Sequence, residues 1–84
     1  MFNGILIQMI FHDNERHFLP HIHARYAGLK ASFSIQDGTL LAGELPPRQT
    51  RLVQKWIELR REELAEDWKL AVTGATLKPI KPLK

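Results

Sequence analysis

The chain has 84 residues, 44% of them apolar, with twelve basic side chains against nine acidic ones and a formal net charge of +3. A chain of this length supports one hydrophobic core, burying roughly 60–65% of the surface its unfolded form exposes, and excludes two. The lack of cysteine excludes disulfides and thiolate metal sites, so stability must come from packing and any metal needs nitrogen or oxygen ligands.

No apolar run approaches the roughly 18–20 residues that cross a bilayer, and Met1-Phe2-Asn3-Gly4 lacks the basic region of a secretory signal. The expectation is one cytoplasmic domain over 1–84 with no membrane contact. The basic excess is mild; it favours acidic partners without singling out nucleic acid.

Residues 4–11 place Ile5, Ile7, Met9 and Phe11 at alternate positions, which predicts a strand buried on one side. His12-Asp13-Asn14-Glu15-Arg16-His17 is polar and rich in turn formers, so an exposed loop follows and closes near Pro20. Residues 21–26 alternate His21, His23 and Arg25 with Ile22, Ala24 and Tyr26. Residues 29–36 alternate Leu29, Ala31, Phe33 and Ile35 with polar neighbours. Only Ala27-Gly28 separates the two runs, so a two-residue hairpin pairs Tyr26 with Leu29, Ala24 with Ala31 and Ile22 with Phe33. The same register sets His21 opposite Ser34, His23 opposite Ser32 and Arg25 opposite Lys30, and a slip of one residue would ruin both faces. Asp37-Gly38 predicts a type I′ turn into a fourth strand at 39–43, pairing Ile35 with Leu40 and Phe33 with Ala42.

Pro46-Pro47 ends the strand pattern, and Pro47 suits a first helical turn. The helical region spans 47–73. Leu52, Val53, Trp56, Ile57 and Leu59 form one apolar stripe, and Leu64, Ala65, Trp68, Ala71 and Val72 form another. Arg60 and Arg61 interrupt the seam, so either one helix bends there or two helices meet. Thr73-Gly74 is a stop signal, and prolines 79 and 82 make 75–84 an extended tail, laid on the domain through Leu77 and Ile80. The predicted fold is α+β, a three- to four-stranded antiparallel meander packed on one bent or two consecutive C-terminal helices. Its core is Ile5, Ile7, Ile22, Ala24, Phe33, Ile35, Val53, Trp56 and Trp68.

The segment Pro20-His21-Ile22-His23-Ala24-Arg25-Tyr26, then Gly43-Glu44-Leu45-Pro46-Pro47-Arg48, then Arg61-Glu62-Glu63-Leu64 and Trp68, resembles the bacterial "domain of unknown function 4160" family over nearly the whole chain. Ile22 and Ala24 depart from the phenylalanine and valine usual there. The resemblance implies no established activity. It does imply a partner, because such domains are similar in context to toxin and antitoxin pairs beside a small "domain of unknown function 2442" protein.

All four histidines, His12, His17, His21 and His23, fall within twelve consecutive residues, together with Asp13 and Glu15. On a strand, His21 and His23 project from one face roughly 6.5–7 Å apart along the backbone. They can converge on one divalent transition metal if His17, His12, Asp13 or Glu15 supplies further ligands. The same imidazoles beside Arg25 and Lys30 suit acid–base cleavage of RNA, or a metal-assisted hydrolysis. Arg48, Arg51 and Lys55, spaced i, i+3 and i+7, put three cations on one helix face where phosphates can dock, while Glu58, Glu62, Glu63, Glu66 and Asp67 make the later helix a solvated acidic face. With no complete catalytic set in view, the leading expectation is a regulatory module binding a small protein partner through His21, His23, Arg25 and the adjoining loop. The alternatives are a His21/His23 hydrolase and a nucleic-acid binder without chemistry.

Overall fold

The computed structural model describes residues 4–9, 20–76 and 80. Strands β1 (Leu6–Gln8), β2 (His21–Tyr26), β3 (Leu29–Ser34) and β4 (Leu40–Gly43) form one antiparallel sheet in the order β1-β2-β3-β4. Helices α1 (Pro47–Leu59) and α2 (Arg61–Val72) follow. The α+β meander with two consecutive C-terminal helices is therefore the architecture. The first strand is shorter than the pattern at 4–11 predicts, and its last two positions lie outside the described residues.

The β2–β3 ribbon has the register that its alternation and its two-residue turn demand. Tyr26 pairs with Leu29, Ala24 with Ala31, Ile22 with Phe33, Arg25 with Lys30, His23 with Ser32 and His21 with Ser34. Ala27 and Gly28 both take positive φ, 50° and 84°, as a type I′ turn requires.

The β3–β4 register differs from the one Asp37-Gly38 predicts. Phe33 pairs with Leu40 and Ser32 with Ala42, with an irregularity between Ser32 and Phe33 that leaves Leu41 as the extra residue. The cause lies in two side chains that recruit backbone. The Ser34 hydroxyl accepts from the Gln36 N–H (3.2 Å), and the Asp37 carboxylate accepts from the Thr39 N–H (2.9 Å). These local bonds widen the connection to residues 35–38, closed by the Ser34 N–H donating to the Thr39 carbonyl (2.8 Å). The strand predicted over 29–36 accordingly ends at Ser34.

The core takes Ile22, Ala24, Ala31 and Phe33 from the central strands, Ile5, Ile35 and Leu45 from their flanks, Val53, Trp56 and Ile57 from α1 and Leu64 from α2. Each large side chain so enclosed contributes about 1.5–3 kcal/mol. Ile7, Trp68 and Ile80 are half-buried against this cluster. Leu77, the other predicted tail contact, lies outside the described residues.

Pro47 opens α1 at its first turn, and the Thr50 N–H donates to the Pro46 carbonyl (2.9 Å). The seam at Arg60 is a break of one residue (φ −114°, ψ 20°). Its N–H still donates to Trp56 and its carbonyl still accepts from Leu64, both at 2.9 Å, so the chain turns without losing either ladder. In α2 the inward stripe is Leu64, Asp67, Trp68 and Ala71, whereas Ala65 and Val72 are exposed, contrary to expectation. Rotation of 100° per residue explains Ala65, since i+3, i+4 and i+7 from Leu64 share its side and i+1 does not, while Val72 is exposed as the last residue of the helix. Leu59, expected in the α1 stripe, is the last residue of that helix and is exposed. The helix stops in a Schellman motif, with Gly74 (φ 77°) donating to Ala71 (3.1 Å) and Ala75 to Leu70 (2.8 Å).

Candidate functional site

Along one face of β2 the environment changes within five residues. His21 is 1% exposed, His23 is half-buried and Arg25 is exposed. The expectation that both imidazoles lie on a solvated face fails at His21. Its ring packs 5.2 Å from that of Trp68, carried in by α2, and meets His23 edge-on at 5.3 Å. Opposite them Ser34 and Ser32 are buried too, and the Ser32 hydroxyl lies 3.2 Å from His23 Nδ1. Ile22 and Ala24 do face inward as predicted. This end of the sheet therefore has cover on both faces.

A pair of imidazoles that trade a proton with substrate must both reach it. His21 is enclosed, so the two rings are not presented together. For a metal, His21 and His23 are the described members of the predicted ligand set, and His12, Asp13, Glu15 and His17 lie outside the described residues. Among the described residues no group of three potential ligands converges. Asp67, expected in the solvated acidic face of the second helix, is buried at 4% exposure.

The cations distribute differently. Arg25 and Lys30 sit directly opposite one another at the turn end of the ribbon, both exposed. They border an open concavity of about 480 Å³ shared with Gly4, Tyr26, Ala27, Gly28 and Leu29. Arg48, Arg51 and Lys55 are exposed on α1, as their spacing predicts. No acidic residue stands in the first turn of α1 to offset them.

One further feature was not read from the sequence. β4 is an outer strand whose described neighbour is β3 alone, and Leu40, Ala42 and Gly43 are exposed along it. Leu40 keeps 39% of its surface accessible. The signal was available, because a meander leaves its last strand at an edge and Leu40-Leu41-Ala42-Gly43 carries none of the charges or prolines that usually blunt one.

Comparison with known proteins matches residues 4–69 to the family described as "Domain of unknown function (DUF4160)". The chain belongs to this family. The match takes in the whole sheet, α1 and most of α2, so the described histidines, the cations of the ribbon and of α1, and the β4 edge all lie within the DUF4160 region. No curated protein and no solved structure matches the chain. Among the described residues, no helix of this DUF4160 chain is long and apolar enough to cross a membrane.

Proposed function

We propose that this chain is a regulatory module that binds a protein partner by strand addition, the partner contributing a fifth strand alongside β4. The observation that carries the reading is the exposed, uncharged edge of β4, with Leu40 at 39% exposure. An unpaired edge offers a row of N–H and C=O groups that an extended segment satisfies, and exposed apolar side chains supply specificity. The surface is thus moved from His21, where enclosure leaves little to contact, to the opposite edge of the ribbon.

Charge favours a different protein over a second copy. Asp37 and Glu44 flank β4, both exposed. Antiparallel self-pairing of residues 40–43 would set Glu44 beside Thr39 and diagonal to Asp37 of the other copy, and like charges at such positions destabilise. A partner segment that is apolar in the middle and basic at its ends fits better. The small partner implied by the family's toxin–antitoxin-like context is the kind of protein such an edge would take.

The test is to isolate the protein from its native host with whatever it retains. The wild type should hold one protein partner in stoichiometric amount, and the complex should slow amide exchange at residues 40–43. The variants Leu40→Lys and Ala42→Lys should lose the partner at unchanged thermal stability. A partner retained equally by both variants would place the contact elsewhere and defeat the reading.

A further inference from the structure

We infer that the turn end of the β2–β3 ribbon is a phosphate-binding site, with Arg25 and Lys30 as its two cationic walls. Residues directly opposite on one face of an antiparallel pair have Cβ atoms about 4.5–5.5 Å apart, and like charges so placed are destabilising. Register and exposure put Arg25 and Lys30 in that relation. An anion held between them turns the repulsion into two charge-assisted contacts, one of which can be the two-pronged guanidinium contact.

Among the described residues, neither Arg25 nor Lys30 forms an ion pair that would relieve the repulsion. Arg25 is flanked across β1 by Leu6, and the next rung of the sheet is Gln8, His23 and Ser32. Glu44 stands one rung beyond the Ala31–Gly43 pair, its N–H donating to the Lys30 carbonyl (3.2 Å), but among the described residues its carboxylate forms no ion pair with Lys30. The concavity of about 480 Å³ beside the cations has room for a phosphate ester, and nothing lies within 4 Å of where a side chain on Gly28 would begin. A ligand can therefore approach the turn backbone closely. The shared chemistry is a phosphate carrying one or two negative charges, whether on a small ester or in the backbone of a single-stranded nucleic acid. This site adjoins the end of β4 at Lys30 but does not depend on strand addition.

The test is amide NMR of the full chain titrated with inorganic phosphate, with chloride of matched ionic strength as control, and in a second arm with an oligouridylate. Saturable shifts are expected at Arg25, Ala27, Gly28 and Lys30. Lys30→Gln and Arg25→Gln should each weaken binding by about tenfold, the scale of one charge-assisted contact, while the melting temperature of Lys30→Gln is not lowered. Saturation by inorganic phosphate alone identifies a small ester. Tighter binding of the oligouridylate, falling with salt, identifies a nucleic-acid backbone. The inference is overturned if neither probe shifts these amides, if the shifts gather on Arg48, Arg51 and Lys55, or if Lys30→Gln binds as well as wild type.

Discussion

The two ends of the β2–β3 ribbon are built from the same alternation and reach opposite outcomes. At one end His21 and Ser34 face each other almost wholly enclosed, with Trp68 of α2 against the imidazole. At the other, Arg25 and Lys30 face each other in the open. Strand periodicity decides which side of a sheet a residue takes, but the later chain decides whether that side meets water. The polar face of a ribbon is thus two places, a packed one that holds the fold and a free one able to meet a ligand.

The open end depends on the backbone more than on its side chains, and the largest effect is expected where the backbone is tightest. Gly43 has φ 71°, and a Cβ there would collide with the Lys30 carbonyl oxygen. Gly43→Ala should cost about 3 kcal/mol, combining the left-handed penalty with overpacking against main chain. Chemical denaturation measures it. A loss below 1 kcal/mol would mean that β4 can move away from β3 freely, and the open end would then be less rigid than its register implies.

The closed end should respond next. His21→Ala removes a buried ring from between His23 and Trp68 and should destabilise by about 2 kcal/mol, a core truncation rather than a loss of surface chemistry. Arg25→Ala, four residues along the same face, should change stability by less than about 0.5 kcal/mol. Equal effects of the two variants would erase the distinction between the ends.

Why one end was legible and the other was not follows from the same residues. The β2–β3 register could be read because Ala27-Gly28 permits only a short turn and every apolar residue then meets another. The helix break could be read because Arg60-Arg61 splits the apolar stripe. Burial of His21 could not, since nothing local to β2 announces that Trp68, some forty-seven positions later, returns to cover it. Burial of Asp67 was legible in principle, three residues after Leu64 and adjoining Trp68, but its charge argued for solvent more loudly than its phase argued for the interior. The β3–β4 register is not legible in Asp37-Gly38 alone, because the Ser34 side chain widens the turn.

Replacing Lys30 by an acid sharpens the comparison in the other direction. Lys30→Glu relieves the repulsion with Arg25 but sets a second carboxylate opposite Glu44, so stability should change by less than about 0.5 kcal/mol while phosphate binding is abolished. Binding lost at nearly unchanged stability is what a functional position predicts and a structural one does not. Denaturation and the phosphate titration, run on the same variant, read both quantities.

The smallest effect belongs to the turn that closes the His21 end. The Thr39 hydroxyl and then the Thr39 N–H bond to the Asp37 carboxylate and hold its pKa below the ordinary 3.8. A carboxyl whose folded-state pKa is depressed adds stability above its unfolded value, and that stability fades as pH falls through the folded value. The contribution is therefore complete at neutral pH and disappears only in the acid range below about pH 4. Asp37→Asn should flatten the acid limb of the stability curve slightly and leave the neutral register intact, because an amide oxygen can still accept the Thr39 N–H. Melting temperatures between about pH 2 and 5 compare the two proteins. An unchanged acid limb in Asp37→Asn would show that the Thr39 bonds are no stronger in the folded turn than in the unfolded chain, leaving the Ser34 side chain as the feature that widens the β3–β4 connection.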